Sequence, residues 1–373
     1  MSPWGGRLRR GEKRAVFDFK PDFEQVLERY EAWWNGAVLD RALTSISFAK
    51  PLHERIALPE KTFAAQRARW WDAQYQAELA HARLANMVYG ADAVPTAYAN
   101  LGPDVFAAFY GCELVFAETT SWSEPFLSSW QAEALEALRL DLQSSYFKKI
   151  DELTDVLLDV GRGKFNVGYT DLHPGADALA ALRGPENLCI DLIERPAEVA
   201  ALCRRVTQGF LQVYDIYHER LSSAGNYSAT WLGAISRGKM HVPCNDFSCM
   251  ISERHFVDLF LPEIVRECRH MDRNVYHLDG PQALRFLDLL LEVPEIDAVQ
   301  WVPGAGQDDW KEWIEVFQQI QAADKAFIVY RVLPDELDLL FEKLRPEGVW
   351  LHMAGIQTRE AADAALKRIS AWR

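Results

Sequence analysis

Over its last hundred residues the chain alternates strand and helix patterns four times, without an internal repeat of sequence. Short apolar runs at 274–278, 297–302, 326–330 and 348–352 each lead into a segment of helical period, at 281–291, 308–322, 334–344 and 358–372. A strand, a helix of ten to fifteen residues and another strand form a crossover that joins parallel neighbours, whereas antiparallel neighbours need only a hairpin. The alternation therefore commits this region to an α/β fold with a parallel sheet. Further strands are expected at 43–48 (LTSISF), 94–100, 114–118, 165–169 and 239–245. Helices are expected at 22–34, 60–89, 131–160, 176–182, 185–193, 196–223 and 253–271. An open doubly wound sheet fits the local pattern too, but no GxGxxG or GxxxxGK[ST] loop follows any strand. With eight or nine strands between Leu43 and Leu351, closure into a single (β/α)8 TIM-type barrel with an N-terminal helical extension is the expectation.

The 373 residues are 49% hydrophobic, enough to bury a large core without staples. The barrel domain is placed at 21–373, after a flexible basic tail at 1–20 whose MSPWGGRLRRGEKR start has no apolar core of a signal peptide. No apolar stretch is long enough for a membrane span. The formal net charge of -14 argues against a protein that tracks nucleic-acid phosphates. Six cysteines, none in a CxxC pair, point to a reducing, cytoplasmic setting rather than a disulfide framework. The expected partner is a small-molecule substrate, and a homodimer is left open.

In a closed α/β barrel the chemistry gathers at the C-terminal ends of the strands. These exits carry Thr170, Asp171 and His173; Cys244 and Asp246; His277, Asp279 and Gly280; Gln300 and Trp301 before Pro303-Gly304-Ala305-Gly306; Arg331; and His352. Each has an ordinary structural job as an alternative. Asp279 precedes a helix and suits an N-cap, and Asp171 suits a turn before Pro174-Gly175. Two chemistries fit the set. His277, Asp279, His352 and Cys244 are ligands for a divalent transition metal, with imidazole and thiolate favouring zinc. Alternatively Asp171, Asp246 or Asp279 carries a proton or binds pyrrole N–H groups, while Arg331 and the histidines pair with substrate carboxylates. Tyr276, Gln300, Trp301 and Trp231 are the candidate substrate-binding residues.

Four segments carry a family resemblance: ERYEAWWNGAVLDR (28–41), HVPCNDFSCMISERHFVDLFLPEI (241–264), YHLDGPQALRFLDLLLEVPEIDAVQWVPGAG (276–306) and GVWLHMAG (348–355). Together they resemble the uroporphyrinogen decarboxylase-like superfamily over nearly the whole chain after about residue 20. The resemblance implies a (β/α)8 barrel and one of two activities, decarboxylation of uroporphyrinogen or zinc-dependent methyl transfer between corrinoids and thiols such as coenzyme M. The decarboxylases carry an arginine-rich RQAGR segment after the first strand, and here that stretch reads ALTSISFAKPLHERIAL. The methyltransferases bind zinc through a His-x-Cys on a late strand and a Cys near the last one. His277-Leu278-Asp279 is similar to the first with Asp in place of Cys, His352 lies near the second, and Cys244 or Asp246 is available to complete the set. The resemblance thus implies a metal-assisted methyltransferase working with a corrinoid carrier protein, methylcobalamin or a methylated small molecule. A metal-free demethylation on the same scaffold is a variant of this reading. A tetrapyrrole or polycarboxylate decarboxylase is the second, and a non-catalytic corrinoid- or tetrapyrrole-binding protein, its planar pocket lined by some of the 13 tryptophans, is the third.

Overall fold

A computed structural model of the chain describes residues 17–304, 306–307 and 309–373. Its strands are β1 (Leu43–Ala49), β2 (Met87–Ala91), β3 (Thr96–Tyr98), β4 (Glu113–Phe116), β5 (Ser121–Glu124), β6 (Asn166–Gly168), β7 (Met240–His241), β8 (Arg273–Asp279), β9 (Ala298–Val302), β10 (Ala326–Val332) and β11 (Val349–Met353). The central sheet has seven strands in the order β2-β1-β11-β10-β9-β8-β7. Every pairing in it is parallel except that of β2 with β1. β3 and β6 form a separate parallel pair, and β4 with β5 an antiparallel hairpin.

Among the described residues the β3–β6 pair has no ladder to the main sheet. Just beyond β6, the Tyr169 hydroxyl meets His241 Nδ1 of β7 at 3.2 Å. The architecture is thus mixed α/β around a mainly parallel sheet, and a continuous closed ladder is absent among the described residues.

Strand alternation sorts the core into two faces. On the helix-covered face lie Tyr276, Leu278, Val299, Trp301, Phe327, Val329 and Leu351. On the other face Leu43, Met240, Val242, Val275, Ala298, Ile328 and Trp350 form a second cluster. The helix Phe23–Trp34 packs into that second cluster. Its apolar residues recur at the helical spacing read from the sequence, and Phe23, Val26, Leu27, Tyr30, Trp33 and Trp34 are all buried. Trp33 Nε1 donates to Gly348 O and Trp34 Nε1 to Ile235 O, which seats the helix against the segments that enter β11 and β7. With the N-terminal strand ends covered in this way, the C-terminal ends are left for a site.

Some expectations change. The single helix expected over 60–89 is two helices, Gln66–Trp71 and Ala73–Ala85, followed by β2. Asp72 breaks it, because its carboxylate accepts from Tyr75 N and caps the second helix. Met87-Val88-Tyr89 then pairs with β1, a tertiary contact that outweighs local periodicity. The strand expected over 239–245 shrinks to β7, since Pro243 has no N–H to continue the ladder. The tail expected at 1–20 falls outside the described residues up to residue 16. Beyond it Phe17 is buried, and Lys20, also buried, donates to Ala91 O at 2.6 Å and Tyr89 O at 3.2 Å. Next to that anchor, fully buried Asp92 accepts from Arg41, Arg29 and Thr44 N. Among the described residues no helix is long and apolar enough to cross a membrane.

Candidate metal centre

Two C-terminal strand ends lie side by side where β7 and β8 pair. Beyond the ladder His277 N donates to Pro243 O at 2.9 Å, and Cys244 bridges His277 in parallel register. Residues two apart on a strand share a face. His277 and Asp279 therefore share one face of β8, while Cys244 and Asp246 come from the segment after β7, which the Cys244–His277 bridge and the turn at 246–250 bring alongside. Gly280, at φ 83°, turns the chain sharply away after Asp279. Asp279 does not cap the following helical turn, whose N-cap is Gly280 with no side-chain bond. The helix Gly175–Arg183 starts from Pro174 without a side-chain bond, and the Asp171 carboxylate meets His173.

The result is two ligand sets. Ligand atoms of Asp246, His277 and Asp279 lie within 4.8 Å of one another, and so do those of His173, Asp177 and Cys244. Asp177 comes from the first turn of the helix Gly175–Arg183. Its Oδ2 accepts from Cys244 Sγ at 3.3 Å and Asp246 N at 3.1 Å, and its Oδ1 from Phe247 N at 2.9 Å. A cleft of about 390 Å³ lined by His173, Asp177, Asp246, Asp104, Ser123 and Phe247 leads to this region from the surface.

His277 is held in one orientation. Its Nδ1 lies 2.8 Å from Gln300 Oε1, and Gln300 Nε2 donates to the Tyr330 hydroxyl at 2.9 Å. Gln300 therefore presents an acceptor to His277, which puts the imidazole proton on Nδ1. The Nε2 lone pair is left facing Asp246, 3.9 Å away. Trp231 stands edge-on to the His277 ring with centroids 5.2 Å apart. Burial lowers the His277 pKa, against the opposing pull of Gln300 and Asp279, so the ring is biased to the neutral form that ligates metals. Asp246 is pushed up to about 7 by desolvation and by the charge of Asp177, with His173 pulling the other way. For His173 burial alone acts downward, but Asp171 at 2.9 Å, with Asp177 and Asp246 behind it, raises it to about 10.

Among the residues singled out from sequence, Asp171, Cys244, Asp246, His277, Asp279, Gln300 and Trp231 are thus brought to one region. Four others are placed elsewhere. His352 belongs to neither ligand set, because β11 lies three strands from β8. Its ring packs 4.5 Å from Trp350 and 4.7 Å from Tyr330, its Nε2 is buried with no hydrogen-bond partner, and burial pulls its pKa down to about 4. Tyr276 and Trp301 sit one residue out of phase with His277 and Gln300, so the pleat sends them to the helix-covered core instead. Arg331 falls in a bulge of β10 at φ 60° and lines a separate apolar cavity of about 250 Å³ with Trp301, Trp310, Trp313, Phe317 and Tyr330. Asp177 was not singled out in the sequence at all, and His173 only as a strand-exit residue.

No protein-family model matches the sequence, and no curated protein matches it. Among solved structures the chain is similar to a methyltransferase from Methanosarcina mazei, with a TM-score of 0.58 at 11% identity over 93% of this chain and 98% of that one. The likeness extends over nearly the full length of both chains. At that identity it shows the shared fold, an α/β arrangement around a mainly parallel sheet.

Proposed function

We propose that the chain is a metal-assisted methyltransferase of the uroporphyrinogen decarboxylase-like superfamily. In this reading residues 21–373 form one domain, and the β3–β6 pair completes a barrel of eight parallel strands. The observation that carries the reading is the meeting of Asp246, His277 and Asp279 at adjacent strand ends, their ligand atoms within 4.8 Å of one another. The full-length likeness to a methyltransferase fold supports it. The donor set fits a divalent ion: one neutral imidazole oriented by an amide behind it, and two carboxylates. With oxygen in place of sulfur the set is harder than a thiolate site, so zinc shares candidacy with other first-row divalent ions. Such an ion would supply a Lewis acid that polarises the methyl acceptor or the leaving group.

The chain's own residues do the rest. Asp246 and Asp279 offer carboxylate oxygens where a cation would bind. Gln300 and Tyr330 keep Nδ1 of His277 protonated and Nε2 available. Trp231 packs against the His277 ring and helps to fix its plane. A methyl group leaves its donor as a methyl-cation equivalent, the electron pair of the broken bond staying on the donor, and forms a bond to the acceptor nucleophile. The donor is proposed to be a corrinoid, bound to a carrier protein or free as methylcobalamin, or a methylated small molecule. An acidic cleft disfavours a polycarboxylate substrate, and Arg331 stands two strands from β8. The decarboxylase reading therefore gains no support from the geometry.

Metal analysis of protein purified without a polyhistidine tag tests the proposal. A bound divalent ion that is lost in His277→Ala and Asp279→Ala supports it. Protein that binds no metal, or that keeps its full metal content in both variants, removes it.

A further inference from the structure

The set formed by His173, Asp177 and Cys244 has no task in the methyl-transfer reading. We infer that these three residues form a second cation site, separate from the Asp246–His277–Asp279 set and suited to a soft divalent ion of the zinc class. The two sets differ in chemistry. The first offers only oxygen and imidazole nitrogen, whereas the second contains a thiol, the ligand that selects zinc over magnesium or calcium.

The geometry is close to what such an ion requires. Ligand atoms of the three residues fall within 4.8 Å of one another. Cys244 Sγ and Asp177 Oδ2 are 3.3 Å apart, near the roughly 3.5 Å ligand-to-ligand edge of a tetrahedron with Zn–S of about 2.3 Å and Zn–O of about 2.0 Å. Two of the ligands are already fixed from behind. Backbone N–H groups of Phe247 and Asp246 hold the Asp177 carboxylate. Asp171 takes Nε2 of His173 at 2.9 Å, the arrangement in which a carboxylate orients an imidazole whose other nitrogen ligates a metal. The three donors arrive from different parts of the chain: the loop after β6, the helix Gly175–Arg183 and the segment after β7. Cys244 is buried at the back, while His173 and Asp177 line the 390 Å³ cleft and leave a fourth position toward solvent. On loading, the thiol proton that Cys244 now gives to Asp177 and the proton on the His173 ring nitrogen that would face the ion both leave to solvent, and the freed sulfur and nitrogen lone pairs go to the ion.

Cobalt(II) titration of the metal-stripped full chain tests this apart from the methyltransferase reading. A thiolate-to-cobalt charge-transfer band in the near ultraviolet is expected to saturate at one ion per chain. It should persist in His277→Ala and Asp279→Ala and in Cys249→Ser, which removes an exposed thiol. It should vanish in Cys244→Ser and weaken at least tenfold in affinity in His173→Gln, with circular dichroism confirming that both variants fold. A band that persists while the first set binds nothing upholds this site and removes the earlier proposal. Absence of the band, its survival in Cys244→Ser, or its loss in His277→Ala and Asp279→Ala as well overturns the second site, the last because Cys244 would then belong to the His277 set.

Discussion

His352 gives a prediction whose size follows from its surroundings. Its imidazole is packed between Trp350 and Tyr330, its Nε2 reaches no hydrogen-bond partner, and burial lowers its pKa to about 4. An unfolded histidine titrates near 6.5. Between those values the unfolded chain binds a proton that the folded chain refuses. The neutral ring's contribution is therefore fully present above about pH 6.5 and is lost as the pH falls toward 4. From about pH 7.5 to about pH 5 the loss assigned to His352 is about 2 kcal/mol, taking the folded value as about 4. His241 is pushed down to about 3 by burial and loses stability over the same range, so the raw pH dependence of the native protein is not diagnostic. The difference between native protein and His352→Gln is. The variant pays a cost for its buried amide at both pH values, but that cost does not change with protonation. Urea unfolding at the two pH values should show a stability loss about 2 kcal/mol smaller in His352→Gln than in the native chain. Equal losses in the two proteins would refute the claim that the His352 ring is held neutral with its Nε2 buried and without a partner.

Other substitutions probe separate parts of the account. Gln300→Leu removes the acceptor that holds His277 Nδ1, and chelator competition should show metal affinity at the first set reduced about 10- to 100-fold; unchanged affinity would detach Gln300 from the site. Asp92→Asn leaves the buried Arg41 guanidinium without its carboxylate and should cost about 3–5 kcal/mol in denaturant unfolding. A cost under about 1 kcal/mol would mean that the link between β1 and the segment before β3 is not structural. Gly168→Ala drives a Cβ to 2.4 Å from Ala229 O, so β6 must shift and the melting temperature should fall by the equivalent of about 1–3 kcal/mol. A melting temperature equal to that of the native chain would show that β6 does not pack as closely on residue 229 as described.

Much of the sheet was legible because β8 to β11 alternate with helices and are too apolar to lie anywhere but in a core. The His277–Asp279 pair was legible for the same reason, as polar groups closing an apolar strand. The pleat decides which polar groups share the site. Tyr276 and His277 are neighbours in sequence and so face opposite ways, and Gln300 and Trp301 do likewise. The pairing of Cys-x-Asp with His-x-Asp was readable as spacing but not as contact, because it depends on the register of Cys244 against His277. Asp177 carried no signal of its own. An acidic residue in a first helical turn is ordinary, and only the packing of that helix against the turn at 246–250 makes it a neighbour of Cys244. His352 also ends an apolar strand, but a strand-end position says nothing about which strand stands beside it, and β11 stands three strands from β8.

The most direct test of the central claim is methyl transfer itself, followed with the purified full chain, methylcobalamin as donor and a thiol as acceptor. The account predicts turnover that stops when the metal is stripped, returns when a divalent ion is restored, and falls at least 100-fold in His277→Ala. Turnover that survives both metal removal and His277→Ala would contradict it.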